Sequence, residues 1–122
     1  MISKPTLLIA EGEAVNLLHI EELLSNDFKI LYTNNGEETI SKFNENPDIS
    51  VILVDIKMPG KYDGMEIIKR IKASKRNVPI IAQSAFAKEE EKKKAFDAGC
   101  NEFTVKPINN TELLNLILKY VE

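Results

Sequence analysis

The chain has 122 residues, 16 Lys and Arg against 19 Asp and Glu for a formal charge of −3, and 43% hydrophobic residues. That length fits one domain with an ordinary core, which excludes a disordered chain. The interspersed charges argue against a nucleic-acid surface, and no apolar run approaches the ~20 residues that cross a bilayer, so neither nucleic-acid nor membrane contact is expected.

The start, Met1-Ile2-Ser3-Lys4-Pro5, lacks the flanks and cleavage site of a signal peptide. Thr6-Leu7-Leu8-Ile9-Ala10 is a short apolar run that ends at Glu11-Gly12-Glu13, the pattern of a buried strand. From Ala14 to Asn26, Leu17, Ile20 and Leu24 recur at helical spacing. Its one histidine, His19, has no companions and is expected to have a surface or packing role. Phe28 to Tyr32 reads as the next strand. Asn35 followed by Glu38 has the spacing of a capping box, Ile40 and Phe43 give the helical face behind it, and Pro47 closes that helix.

Val51-Ile52-Leu53-Val54 stops abruptly at Asp55 and is followed by Ile56-Lys57-Met58-Pro59-Gly60. An apolar run that ends on a carboxylate and then a Pro-Gly pair is a buried strand running out into a loop. Gly64 precedes a helix with Met65, Ile68 and Ile71 on one side. Val78 to Gln83 is a fourth strand, ending at Ser84. Lys88 to Ala98 is a charged helix anchored by Ala95 and Phe96 and stopped by Gly99. Its Lys88-to-Lys94 run is expected to be a solvated face. Cys100 has no cysteine partner, which fits a reducing compartment, and reads as a small buried hydrophobe. Glu102 to Val105 is a short fifth strand ending at Lys106-Pro107. Asn109 with Glu112 caps the last helix, whose face is Leu113, Leu114, Ile117 and Val121.

Strand and helix therefore alternate five times. This predicts an α/β fold, a flavodoxin-like (βα)5 doubly wound domain over residues 1–122 with a five-stranded parallel sheet, order 2-1-3-4-5. In that order the carboxyl ends of strands one, three, four and five converge where ligands bind such sheets. Those ends carry Glu11 to Glu13, Asp55, Ser84 and Lys106.

An acidic stretch after strand one, Asp55-x-x-Met58-Pro59 after strand three, Ser84-Ala85 after strand four and Lys106-Pro107 after strand five resemble the receiver domain of two-component response regulators. Leu8 to Glu13, Val54 to Gly60, Asp63-Gly64, Ile81 to Ala85 and Val105 to Ile108 carry the likeness together, over nearly the whole chain. Glu11 to Asn16 and Ala98 to Phe103 are most similar to receivers of hybrid sensor histidine kinases. The resemblance implies a bacterial, cytoplasmic phosphoprotein in a phosphorelay. Asp55 would accept a phosphoryl group from a phosphohistidine on a histidine kinase or histidine phosphotransfer protein. A downstream output domain or protein would read the result. It implies Mg²⁺ held by Glu11, Asp55 and the backbone carbonyl of Lys57, and Lys106 pairing with a phosphoryl oxygen before a cis Pro107. Ser84 would be the hydroxyl that swings to the phosphoryl group, and Phe103 the aromatic that moves with it. Such a domain assists its own phosphoryl transfer without being a turnover enzyme, although a parent chain would be one if it were a hybrid kinase.

Three features depart from that pattern. Gly12 stands where the family has an acid that ligates Mg²⁺ directly, so Mg²⁺ affinity is expected to be weakened. Glu13 is expected to point elsewhere. The interval from Asp55 to Asp63-Gly64 is one residue longer than usual, and Phe103 lacks the hydroxyl of the common Tyr. The alternative is therefore a degenerate receiver that binds partners without phosphorylation. Each residue also has a plainer role open to it: Ser84 as a helix cap, Lys106 as a salt-bridge partner to Asp55, and Phe103 as core. A flavin site is disfavoured because Glu11-Gly12-Glu13 repels phosphate. A dehalogenase-like phosphatase is disfavoured because Lys57 stands where a second Asp is needed.

Overall fold

The computed structural model describes residues 4–86 and 88–121. Met1 to Ser3, on which the reading of the start partly rests, and Glu122 at the end lie outside them. The elements follow the order β1 (Thr6–Ala10), α1 (Ala14–Leu24), β2 (Lys29–Thr33), α2 (Gly36–Glu45), β3 (Ile49–Asp55), α3 (Gly64–Ala73), β4 (Ile80–Ser84), α4 (Glu89–Ala98), β5 (Glu102–Val105) and α5 (Asn110–Val121). All strand pairs are parallel and the sheet order is β2-β1-β3-β4-β5, as expected. Among the described residues no helix is long and apolar enough to cross a membrane.

The period-two alternation of the strands sorts side chains into two cores. Leu7, Ile9, Val51 and Leu53 pack with Ile20 and Leu24 of α1 and Leu113 and Ile117 of α5. Leu8, Ala10, Ile52 and Val54 face the other way, against Phe43 of α2, Ile67, Ile68 and Ile71 of α3 and Ala95 of α4. With both faces covered, β1 and β3 are apolar at consecutive positions through residues 7–10 and 51–54, which explains their unbroken runs. Each fully buried Leu or Ile contributes roughly 1.5–3 kcal/mol of transfer free energy.

Local chemistry sets the ends. Asn35 Oδ1 accepts the Glu38 N–H at 2.8 Å, Asp63 Oδ1 that of Glu66 at 2.9 Å, and Asn109 Oδ1 that of Glu112 at 3.1 Å. Gly99, at φ 123°, stops α4. The fourth strand begins at Ile80, two residues later than expected, because Pro79 has no N–H to give to the ladder. Arg76 supplies an end that the sequence did not advertise. Its guanidinium stacks on Phe43 at 3.9 Å and donates to the carbonyls of Phe43 and Asn46, closing the C-terminus of α2.

Cys100 lies in the α2–α3–α4 core at 6% exposure. Burial first, and the charge of Glu102 second, push its thiol up to about 11. A raised folded-state value means that native stability is lost as pH climbs from the free-thiol range, about 8.5, toward that value. At about pH 8 the native protein is expected to carry roughly two-hundredfold fewer thiolates than the unfolded chain. Labelling by a disulfide reagent, timed with and without denaturant, measures this; equal rates in both would contradict it.

Candidate functional site

Three strand ends bring together side chains from distant parts of the sequence. Glu11 leaves β1 with its N–H bonded to Thr33 at 3.0 Å, and Asp55 ends β3. Lys106 leaves β5 with its N–H on the Ser84 carbonyl at 2.8 Å and a cis bond to Pro107. Lys106 Nζ then sits 2.7 and 3.0 Å from the two Glu11 oxygens and 2.9 Å from Asp55 Oδ2. The side chains are 13% exposed for Lys106, 0% for Glu11 and 7% for Asp55. One ammonium therefore serves two buried carboxylates. The expected Lys106–Asp55 pair is present, and Glu11 joins it.

Electrostatics follow from that burial. Desolvation holds the Glu11 carboxyl above the usual glutamate range, against the pull of Lys106 and of the Glu13 N–H, with neighbouring Asp55 raising it further. For Lys106, desolvation pulls the ammonium down, but its hydrogen bonds to Asp55 and Glu11 outweigh it and leave its pKa raised. In the resting site two carboxylates thus share one lysine, which stays charged.

The cluster opens into a cleft of about 680 Å³ bordered by Gly12, Lys57, Pro59, Asp63 and Glu91. Asp55 Oδ1 accepts the Lys57 N–H at 3.1 Å, which fixes the carboxylate's plane. A Cβ placed on Gly12 would lie 3.7 Å from the Lys57 carbonyl oxygen and 3.2 Å from Pro59 Cδ. Position 12 therefore faces the cleft, as the resemblance implied. Glu13, expected to point elsewhere, also borders the cleft; its N–H donates to Glu11 Oε2 at 3.0 Å. The oxygens of Glu11 and Asp55 with the Lys57 carbonyl are hard donors of the kind that Mg²⁺ takes through one or two carboxylates and several waters. Among the described residues no three or more His, Cys, Asp or Glu side chains group as a metal cage. This donor set fits a partly hydrated Mg²⁺ and no more complete cage.

The extra residue between Asp55 and Asp63 is held down by α2. The Gly36 N–H meets the Pro59 carbonyl at 3.4 Å, and Glu37 Oε1 accepts the Lys61 N–H at 2.7 Å. Gly36 permits this contact, since a Cβ there would fall 2.2 Å from the Tyr62 carbonyl. Gly64 is required for a similar reason: a Cβ would lie 2.4 Å from the Asp55 carbonyl oxygen, on the strand end that bears the carboxylate.

Ser84 is fully buried at the end of β4. It does not cap α4, whose N-cap is Lys88 without a side-chain bond. Its hydroxyl donates to a Glu91 carboxylate oxygen and accepts the Phe86 N–H at 3.1 Å. Glu91 was missed in the sequence because the run Lys88 to Lys94 reads as a solvated face. Glu89 and Glu90 do face solvent, while Glu91 is half-buried. The only sequence signal was its helical phase, four residues before buried Ala95. Phe103 is half-buried and packs on the α2–α3–α4 core. His19 is exposed and its Nε2 hydrogen-bonds Asn110 Oδ1 at 2.7 Å, with no bond to the cluster among the described residues. Lys57 extends over the Phe86 ring at 4.3 Å.

Comparison with known proteins agrees with this geometry. The family model described as the response regulator receiver domain matches residues 7–118. The sensor histidine kinase GacS of Pseudomonas protegens is 30% identical over 122 residues, covering 95% of this chain and 13% of that protein. The polar-differentiation response regulator DivK of Brucella anthropi is 28% identical over 120 residues, covering 95% of each. The chain thus spans a small part of the kinase and almost all of the regulator. A solved receiver domain of a Pseudomonas aeruginosa sensor histidine kinase, with a magnesium ion coordinated in its active site cleft, has a TM-score of 0.88 at 25% identity and 98% coverage of both chains.

Proposed function

The chain belongs to the response regulator receiver domain family, and on that premise we propose that Asp55 accepts a phosphoryl group from a phosphohistidine and that the added charge switches the face formed by α4 and β5. One observation carries the reading: the Lys106 ammonium lies between the Glu11 and Asp55 carboxylates at the carboxyl ends of β5, β1 and β3. An oxygen of Asp55 forms the bond to phosphorus while the phosphorus–nitrogen bond to the donor imidazole breaks and nitrogen keeps the electron pair. Charge on the transferring group spreads over its three other oxygens, so the residues act by position and by neutralisation. The Lys57 N–H holds Asp55 in plane. Lys106 exchanges Asp55 for a phosphoryl oxygen and keeps Glu11. Mg²⁺ held by Glu11, Asp55 and the Lys57 carbonyl, completed by water, would supply further positive charge to those oxygens.

Phosphorylation adds roughly −1.5 to −2 charge at Asp55. Recruiting the Ser84 hydroxyl and moving Phe103 bias the domain between two states, a population shift. Phe96 on α4 and Val105 on β5 expose apolar surface for an output partner to read. A histidine kinase or histidine phosphotransfer protein is the proposed donor, within a domain spanning the whole chain and working in the cytoplasm, with no nucleic acid contacted by it.

Gly12 favours a second reading. It brings no oxygen to the cleft, and a receiver short of that ligand would bind partners without phosphorylation. One assay separates the two. The protein is incubated with phosphoramidate across a wide Mg²⁺ range and weighed intact. A gain of one phosphoryl group that disappears in Asp55→Asn is the expected result. No gain at any Mg²⁺ concentration, with gain restored in Gly12→Asp, would establish the degenerate form.

A further inference from the structure

We propose that Glu91 is a positioning residue: its carboxylate holds the Ser84 hydroxyl proton away from Asp55 and so sets how readily the site takes up a phosphoryl group. This rests on the receiver reading and names a regulator of that same site. A serine hydroxyl has one proton to donate. In this state it goes to Glu91, and the oxygen accepts the Phe86 N–H. Ser84 is fully buried, so water does not compete for that proton. Because the acceptor is charged, the bond is of the stronger class.

Location makes the contact more than a surface pair. Glu91 lies in the first turn of α4 and borders the cleft that also holds Asp55 and Lys106. An acid in a first helical turn is favourable by itself, and that would account for Glu89, Glu90 and Glu91 alike. It does not account for Glu91 alone being half-buried and turned onto Ser84. A phosphoryl group arriving at Asp55 needs the Ser84 proton and brings a second anion into the cleft beside Glu91. The two anions compete for one donor. Once Ser84 turns to the phosphoryl oxygen, the first turn of α4 loses its tie to β4. The contact that restrains phosphorylation is thus also the one that reports it.

The test measures the initial rate of Asp55-dependent phosphorylation by phosphoramidate at fixed Mg²⁺. The proteins are wild type, Glu91→Gln and Glu91→Ala, each with and without Ser84→Ala. Gln keeps a neutral, weaker acceptor and Ala keeps none, so the rates are expected to rise in that order, by about tenfold for Ala. The gain is expected to vanish in the Ser84→Ala background. In parallel, amide exchange in the first turn of α4 is expected to quicken in Glu91→Ala without phosphoramidate. Equal rates in wild type and both Glu91 variants overturn the proposal. So does a gain that survives Ser84→Ala, which would mean charge repulsion with no part played by the hydroxyl. Absence of any Asp55-dependent product in wild type and variants alike would instead remove the phosphoacceptor role on which the proposal stands.

Discussion

Gly12→Asp is expected to tighten Mg²⁺ binding about tenfold, worth ~1.4 kcal/mol. The glycine is not in the left-handed region, so a side chain meets no backbone strain there. Its Cβ would emerge 3.7 Å from the Lys57 carbonyl, which aims the new carboxylate at the oxygens already facing the cleft. The tight contact, 3.2 Å to Pro59 Cδ, is with an exposed loop ring that has room to give by a few tenths of an ångström. Without metal the extra acid is unfavourable, because it adds a third carboxylate beside Glu11 and Asp55 with only Lys106 to balance them. Thermal melts across a Mg²⁺ series therefore carry a clear signature. Gly12→Asp is expected to melt below wild type in chelator and to gain more with Mg²⁺, since a ligand that binds only the native state stabilises it by mass action. Parallel Mg²⁺ dependences in the two proteins would rule out position 12 as a ligand position.

The second large effect is on stability. Lys106→Ala leaves two buried carboxylates without a counter-charge, and breaking a buried pair from one side costs roughly 3–5 kcal/mol. Lys106 reaches toward the open cleft, so the lower end, about 3 kcal/mol near pH 7, is the expected figure. The penalty has a predictable pH dependence. Burial already holds Glu11 above the usual glutamate range, and removing the ammonium raises it further. A carboxyl that binds its proton more tightly when folded stabilises the protein below its unfolded value and loses that contribution as pH rises. Acidification through the Glu11 range therefore neutralises the orphaned charge and shrinks the deficit. In wild type the raised Lys106 keeps its own contribution until alkaline pH, where it is lost as the ammonium deprotonates. Urea unfolding of both proteins near pH 7 and near pH 5 measures this. A deficit that stays the same or grows on acidification would contradict the account.

Much of this was legible from residues alone. The unbroken apolar runs of β1 and β3 signal strands buried on both faces, and alternation with amphipathic helices leaves few topologies. Asp55 was conspicuous because an apolar run ends on it, and Lys106 because a short strand ends on it. Asn35 and Asn109 cap helices through local bonds, three residues apart, which a sequence displays directly, and Asp63 carries the same signal before α3 although it was not expected as a cap. What stayed hidden depends on long-range geometry. Arg76 reaching the end of α2, Glu37 holding Lys61 and Glu91 holding Ser84 are each one charged residue among many. Charge patterning marks a helix as solvated on average and does not say which one of its residues turns inward. The late start of β4 at Ile80 was legible in principle, since Pro79 has no N–H to give.

The anchoring of the long β3–α3 loop has a mechanical consequence. Backbone and carboxylate bonds from Gly36 and Glu37 fasten one lip of the crevice to the body of the molecule. Among the described residues, the opposite lip, at the start of α4, is hydrogen-bonded to β4 through the Ser84 hydroxyl. Of the two lips, the latched one is the one expected to give. A change at the floor of the crevice is then expected to pass outward along the latched side, with the insertion acting as a brace.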